Sequence, residues 1–253
     1  MQRTRYISRV IGQLTGRVAR AGYGLARRLS GLPTPQQTRA ALLARCLARP
    51  GATLIDVGAN VGQFASSALA AAPHARILSI DPIPENVQEC RRRFASVAGY
   101  QAFQAALGER SAESVTFNLH TYSQASSLLP LSETARDSFR SLGAPTRQIT
   151  VPMYSLDDLL DKVGGFERID LLKIDVEGGE AQVLRGATRT LQRTRAVLVE
   201  CQALRMNEGA ELFGSVCHIV HSSGLTLTGL FDEIRNSLGD LLLMDLLFER
   251  PGD

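Results

Sequence analysis

The chain has 253 residues, of which 44% are hydrophobic and 21% charged, the composition of an ordinary globular protein with one full core. The chain is too short for two domains of ordinary size. No apolar run is long enough to span a membrane as a helix. Residues 1–50 hold ten arginines and no acid, which leaves 18 basic and 25 acidic side chains to residues 51–253, so the net charge of +3 conceals an acidic body.

Cysteine usage points to a reducing compartment. The four cysteines are widely spaced and include no CxxC pair. This pattern argues against a zinc site and against a disulfide framework, and it favours the cytoplasm.

The basic N-terminal segment is predicted to be helical. Residues 3–30 carry apolar side chains at helical spacing with arginines around them, although several glycines interrupt the pattern. One interpretation is an amphipathic helix in peripheral contact with the inner face of an anionic membrane. The other is a tail that packs on the body, meets a partner or stays disordered. We predict a basic helical N-terminal extension over 1–49 and one domain over 50–253.

Helices and strands alternate along the rest of the chain. A helix is predicted over 36–48. Strands are predicted at 52–57, 75–80, 100–106, 115–119, 148–153, 169–174, 196–200, 226–230 and 241–248. Helices are predicted between them at 63–72, 85–96, 156–162, 180–192 and 210–222, and the polar segment 120–147 stays unassigned. This alternation predicts a Rossmann-like α/β fold, a mostly parallel doubly wound sheet with helices on both faces, which binds ligands at the carboxyl ends of its strands.

The turn after the first strand is the strongest local signal. The strand ends in Asp56, and Gly58 and Gly62 bracket a tight turn into a helix, where glycine permits close backbone approach and the helix N-terminus offers free N–H groups. The order D-x-G-x-N-x-G departs from the dinucleotide fingerprint G-x-G-x-x-G. An acid at this point would repel a pyrophosphate but suits a ligand with an amine and a sulfonium. The spacing therefore favours S-adenosyl-L-methionine over a nicotinamide cofactor.

The next two strands extend this cofactor site. Asp81 ends the second strand, where a carboxylate can accept both hydroxyls of a ribose, although it could also only cap the turn before Pro82. Ala106 and Leu107 at the end of the third strand are expected to wall the adenine. The predicted cofactor-binding residues are Asp56, Gly58, Ala59, Asn60, Gly62, Asp81, Ala106 and Leu107.

The segment 169–180 places several charged side chains on and just after a predicted buried strand. In a strand, Lys173, Asp175 and Glu177 share one face, and because unpaired buried charge is costly they must pair with each other or with a ligand. A purely structural ion pair between Lys173 and Asp175 is the alternative. Glu180 is expected to orient the substrate or to cap the following helix. No His or Cys accompanies these acids, so no metal is predicted.

These segments resemble the FkbM family of methyltransferases. The matching pieces are 55–62, 126–128, 151–152 with 155–158, 172–180, 184–187, 199–200 and 245–248. The resemblance implies a class I methyltransferase fold that uses S-adenosyl-L-methionine to methylate a hydroxyl group of a sugar, glycan or natural-product acceptor. We predict Lys173, Asp175, Glu177 and Glu180 as catalytic residues, with Asp175 or Glu177 as the base and Lys173 holding the carboxylates in place.

Several alternatives stay open. Ser126 and Ser127 belong either to a lid over the acceptor or to an ordinary turn. His120 is the one histidine near the acceptor side and a minor candidate for catalysis. A nucleotide-binding oxidoreductase is disfavoured by the missing third glycine, and a non-catalytic interaction protein by the joint presence of the acids. Nucleic acid is not expected as a partner, because the body is acidic and shows no basic-aromatic groove.

Overall fold

The computed structural model describes residues 35–120, 125–138 and 147–252. The chain divides into two compact units, Met1–Leu42 and Leu43–Asp253. The predicted amphipathic stretch 3–30 lies outside the described residues, and the predicted boundary after residue 49 stays a prediction. Among the described helices, none has both the length and the apolar character that crossing a bilayer requires.

The described elements follow the predicted alternation. In chain order they are α1 (Pro35–Cys46), β1 (Thr53–Val57), α2 (Gln63–Ala71), β2 (Arg76–Asp81), α3 (Pro84–Arg93), β3 (Tyr100–Gln104), β4 (Ala106–Leu107), β5 (Ala112–Leu119), α4 (Glu133–Ser138), β6 (Arg147–Tyr154), α5 (Leu156–Val163), β7 (Leu171–Ile174), α6 (Glu180–Arg185), α7 (Thr188–Gln192), β8 (Ala196–Gln202), α8 (Phe213–Ser222), β9 (Thr226–Arg235) and β10 (Leu241–Glu249). Ser155 caps α5, because its hydroxyl accepts the N–H of Asp158.

Seven strands form the main sheet, in the order β3-β2-β1-β7-β8-β10-β9. The pairs β3–β2, β2–β1, β1–β7 and β7–β8 are parallel. β10 is antiparallel to both of its neighbours, β8 and β9. All five residues of β1 are buried, as expected of a central parallel strand covered on both faces. The predicted doubly wound, mostly parallel sheet is therefore confirmed, and the carboxyl ends of β1, β2, β7 and β8 meet at one edge.

The alternation of side chains along the strands separates the core from the charged groups. Ile55, Leu172 and Val199 share one hydrophobic cluster with residues of α5, α6 and α8. Asp56 and Lys173 lie directly opposite each other in the register of β1 and β7, so both side chains point to the other face of the sheet. On that face the ammonium of Lys173 lies 5.9 Å from the ring centroid of Phe64 in α2. Strand register, which sequence periodicity does not specify, therefore creates this buried charge pair.

A second sheet of three strands, in the order β4-β6-β5, was not predicted. The strand predicted over 100–106 is in fact two: β3 ends at Gln104, and β4 pairs with β6 through Ala106 opposite Met153. The residues are strand-like throughout, so their composition does not mark the change of partner. Pairing with β6, almost fifty residues later in the chain, decides it.

The helix predicted over 180–192 was also wrong in its length, because it breaks into α6 and α7 at Gly186. A Cβ at Gly186 would stand 2.2 Å from the carbonyl oxygen of Gly108. The carbonyl oxygen of Gly186 also accepts the N–H of Asp157 at 3.0 Å. These tertiary contacts with the second sheet and with α5 end the helix, although the local sequence is compatible with its continuation.

Candidate active site

The glycine turn between β1 and α2 is packed tightly against the loop that follows β7. Gly58 has a positive φ of 75°, and a Cβ on it would stand 1.7 Å from the carbonyl oxygen of Asp175. Gly62 has φ 81°, and a Cβ there would stand 2.5 Å from the ring of Phe94. Glycine is thus required at both positions by backbone conformation and by close approach.

The N–H groups of residues 58–62, in the turn itself, are used within the fold. Those of Gly58 and Ala59 donate to the carbonyl oxygen of Ile80 at 2.9 and 3.1 Å. Those of Asn60, Val61 and Gly62 donate to the carboxylate of Asp81, the side-chain oxygen of Asn60 and the carbonyl oxygen of Ala59, respectively. The five N–H groups of the turn therefore have partners within the fold, whereas no described side chain caps the start of α2 at Gln63. The free N–H groups expected at the N-terminus of α2 stay a prediction.

Asp81 is at the carboxyl end of β2 and holds the two adjoining turns together. Its Oδ2 accepts the N–H of Asn60 at 2.8 Å, and its Oδ1 accepts the N–H of Ile83 at 2.9 Å and the amide of Asn86 at 3.0 Å. Burial raises the pKa of Asp81 to about 6 against the opposing effect of these hydrogen bonds. The capping role that the sequence left open is therefore present, and Asn86 is a partner that the sequence did not reveal. Binding of a ribose stays a prediction.

Lys173 is the centre of a buried charge network. Its Nζ lies 3.1 Å from Oδ2 of Asp175 and 3.6 Å from Oδ1 of Asp56, and it donates to the carbonyl oxygen of Gly58 at 3.0 Å. Burial lowers the pKa of Lys173, but Asp175 and then Asp56 outweigh burial and hold it above its usual range. Burial raises the pKa of Asp56 although Lys173 opposes this. Asp56 has no exposed surface, and its carboxylate oxygens have no hydrogen-bond partner among the described residues, so Lys173 serves it as an ion-pair partner only. The role of Asp56 in cofactor binding stays a prediction.

Residues 175–179, here called the reactive turn, follow the last residue of β7. The expectation that Glu177 continues the face of the strand was wrong, because β7 ends at Ile174 and Glu177 has a positive φ of 57°. The structure nevertheless brings the acids together. One carboxylate oxygen from each of Asp175, Glu177 and Glu200 lies within 4.8 Å of the others.

This carboxylate cluster is electrostatically strained. Burial, and then the negative charge of Asp175, raise the pKa of Glu177 and of Glu200 well above the usual value. Such a group favours holding a proton, and three clustered carboxylates are also a donor set that could hold a divalent cation. Glu200, on β8, was not predicted as a site residue. Its only signal was its place in the matching piece 199–200.

Glu180 holds the reactive turn in place through two hydrogen bonds to its backbone. Its Oε1 accepts the N–H groups of Val176 and Gly178, both at 3.0 Å, and the side chain is buried. Burial raises the pKa of Glu180 to about 7, against the opposing effect of these hydrogen bonds. Of the two expected roles, these contacts match the structural one, in which an acid satisfies backbone donors at the start of α6.

The second sheet is tied to the reactive turn through Ser127. The hydroxyl of Ser127 donates to the carbonyl oxygen of Glu177 at 2.6 Å and accepts the N–H of Leu129 at 3.0 Å. The hydroxyl of Ser126 accepts the N–H of His120, whose buried ring nitrogens have no hydrogen-bond partner among the described residues. Of the two serines, Ser127 thus lies against the turn itself.

The third predicted part of the cofactor site falls in the second sheet. Ala106 is buried in β4, and Leu107 lines a cleft of about 350 Å³. The other residues of this cleft include Leu128, Leu129 and Met153, so the structure places Leu107 beside the second sheet and the start of α6. Contact of Ala106 and Leu107 with an adenine stays a prediction.

Comparison with known proteins gives a consistent family. The family model described as the methyltransferase FkbM domain matches residues 56–240. "Methyltransferase 1" of Beauveria bassiana is 31% identical over 142 residues, which are 53% of this chain and 57% of that protein. "2-O-methyltransferase NoeI" of Sinorhizobium fredii is 27% identical over 168 residues, which are 64% of this chain and 68% of NoeI. The chain thus spans little more than half the length of the first of these relatives.

Among solved structures, the N-methyltransferase NodS of Bradyrhizobium japonicum, in complex with S-adenosyl-L-homocysteine, aligns with a TM-score of 0.47 at 12% identity, over 85% of this chain and 86% of NodS. The family model covers nearly three quarters of the chain and includes the glycine turn, Asp81 and the reactive turn. The chain therefore belongs to the FkbM methyltransferase family.

Proposed function

We propose that this methyltransferase transfers the methyl group of S-adenosyl-L-methionine to a hydroxyl oxygen of a small-molecule or glycan acceptor. One observation carries the proposal: the glycine turn touches the reactive turn, with the Gly58 backbone packed on the carbonyl of Asp175. A donor held over the glycine turn would therefore be next to the carboxylate cluster that can remove a proton from an acceptor.

The electrostatics of the site support a cationic donor. Asp56, Asp175, Glu177 and Glu200 surround a single described ammonium group, that of Lys173. Such a site favours a sulfonium and an amine over a pyrophosphate.

The proposed chemistry needs a base near the acceptor. As the acceptor oxygen forms a bond to the methyl carbon, the carbon–sulfur bond breaks, the sulfur leaves neutral, and the hydroxyl proton passes to a carboxylate oxygen of Glu177 or Asp175. The raised pKa of Glu177 brings it closer to the operating pH, where a general base is most effective. A base of this kind contributes about 10²–10⁴-fold, and alignment of the reactants contributes an effective molarity of about 10⁵ M or more.

A half-buried carboxylate base favours oxygen as the acceptor atom. A hydroxyl must lose its proton as it is methylated, whereas a neutral amine attacks with its own lone pair. The name of the relative NoeI, a 2-O-methyltransferase, supports the same choice. Lys173 would hold Asp175 in position, and the predicted role of Asp81 as a ribose ligand fits its place at the end of β2.

The test is mass spectrometry of methyl transfer from labelled S-adenosyl-L-methionine into glycan, lipid and small-molecule fractions of a cell extract. We expect Asp175→Ala or Glu177→Ala to lower turnover by about 10²–10⁴-fold while leaving donor affinity nearly intact. Glu233→Ala is a matched control, because Glu233 is an exposed acid on β9 that pairs with Arg235.

Two results would contradict the proposal. Unchanged turnover in both alanine variants would remove the base from the reactive turn. Calorimetry that detects binding of neither S-adenosyl-L-methionine nor S-adenosyl-L-homocysteine to folded protein would remove the donor, and a fluorescence titration that instead shows NADH binding would support the oxidoreductase alternative.

A further inference from the structure

The cleft beside the reactive turn has the size and shape of a ligand site. Its volume of about 350 Å³ lies at the lower end of the range for small-molecule pockets. Leu107 and Met153 of the second sheet line it, together with Leu128 and Leu129 of the segment that follows β5. Gly179 and Gln182, at the start of α6, line it as well.

Both groups of lining residues adjoin the reactive turn. Leu128 follows Ser127, whose hydroxyl donates to the carbonyl oxygen of Glu177 at 2.6 Å. On the other side Gly179 is the last residue of the turn and precedes Glu180, which anchors that turn through its two hydrogen bonds. The cleft therefore lies next to residues that hold the reactive turn in place, and Gly179 belongs both to its lining and to that turn.

The lining of the cleft indicates which chemistry it accepts. Three leucines and a methionine make its interior apolar, and the lining residues Glu109 and Arg110 are exposed. Oε1 of Gln182 is buried and has no hydrogen-bond partner among the described residues. This oxygen has almost no accessible surface, so it does not itself face a ligand in the cleft. The fitting ligand is thus largely apolar.

We infer that this cleft binds an aliphatic portion of the acceptor, so that the acceptor is a hydroxyl compound with an alkyl or acyl group and not a free sugar. The inference rests on the proposed function and narrows it, and it assigns Leu107 to the acceptor in place of the adenine. A free sugar would leave the leucine and methionine surfaces exposed to water, whereas an alkyl chain covers them.

A homologous series of alkyl β-D-glucosides tests this inference. The probes are the methyl, butyl, hexyl and octyl glucosides, each used below its micelle concentration, with affinity measured by calorimetry and by saturation-transfer NMR in the presence of S-adenosyl-L-homocysteine. Each added methylene should tighten binding about three- to fourfold until the cleft is full. Absence of binding, or an affinity that does not depend on chain length, would overturn the inference.

Two variants locate the effect. Leu129→Trp fills the cleft and should abolish the dependence of affinity on chain length. Leu129→Asn places an amide among the apolar lining residues and should weaken that dependence. Leu230→Trp is the matched control, because Leu230 is 54% exposed on β9 and does not line the cleft. The protein contains no tryptophan, so each introduced indole also reports folding by its fluorescence. A chain-length dependence that persists in folded Leu129→Trp would place the alkyl group elsewhere and overturn the inference.

The affinity series needs no turnover, so it separates this inference from the proposed function. Chain-length dependence without any methyl transfer would support the cleft and count against the proposed function. Methylation of free sugars with no chain-length dependence would support the proposed function and overturn the role of the cleft.

Discussion

Replacing Glu180 by glutamine distinguishes a structural from a catalytic role for this buried carboxyl group. In the wild type, Oε1 of Glu180 accepts the N–H groups of Val176 and Gly178 at 3.0 Å. Glutamine retains an oxygen that can accept both hydrogen bonds, but it carries no charge. The exchange therefore removes the cost of burying a carboxylate while keeping the reactive turn in place.

The magnitude follows from the pKa of Glu180, which burial raises from 4.5 to about 7. A folded-state pKa above the unfolded value means that the native protein binds the proton more tightly. The resulting stability is fully present below pH 4.5 and is lost as the pH rises through about 7. The loss amounts to roughly 3 kcal/mol. Glu180→Gln escapes this loss, so at about pH 8 it should be more stable than the wild type by about 1–3 kcal/mol.

The assay is urea unfolding of both proteins across this pH range, with turnover measured on the same samples. The stability difference should shrink as the pH falls towards 4.5. Glu180→Ala, which leaves two buried N–H groups without a partner, should be less stable than the wild type near neutral pH. Glu208→Gln controls for loss of an exposed carboxylate.

Two outcomes would refute this reasoning. The first is a Glu180→Gln protein that is less stable than the wild type at about pH 8, and the second is a stability difference that does not change with pH. A stable variant whose turnover falls a hundredfold or more would show instead that the negative charge itself takes part in the reaction.

Three further predictions test the rest of the site. Asp81→Asn should weaken binding of S-adenosyl-L-methionine about tenfold or more, because a charged hydrogen bond to the ribose is lost; calorimetry with an unchanged dissociation constant would leave Asp81 only its capping role. Lys173→Met removes a positive charge that lowers the pKa of Glu177, so the acid limb of the kcat profile should move to higher pH, and an unmoved limb would exclude Glu177 as the base. Gly58→Ala should lower the melting temperature far more than Gly164→Ala, because both glycines have positive φ but only at Gly58 would a Cβ meet backbone atoms. Equal decreases in melting temperature would show that this close approach is unimportant.

The local pattern of the sequence was sufficient for the elements and for the family. Residue periodicity predicted the alternation of strands and helices, and Gly58 and Gly62 indicated a turn that must approach another backbone closely. The ordered motifs around Asp56, Asp81 and the reactive turn predicted an FkbM methyltransferase, which the family model confirms. These properties depend on residues close together in the chain, and such residues leave a readable signal.

The composition of the site was decided by tertiary structure. Register between β1 and β7 turns Asp56 into the buried partner of Lys173, and the neighbouring strand β8 brings Glu200 to the carboxylate cluster. Pairing with β6 draws residues 106–107 into a second sheet, and Ser127 ties that sheet to the reactive turn. Side-chain alternation predicts which residues of one strand share a face. Strand order and register determine which faces of different strands meet and how deeply each charge is buried. Those contacts join residues up to about a hundred positions apart, so only the folded chain determines them.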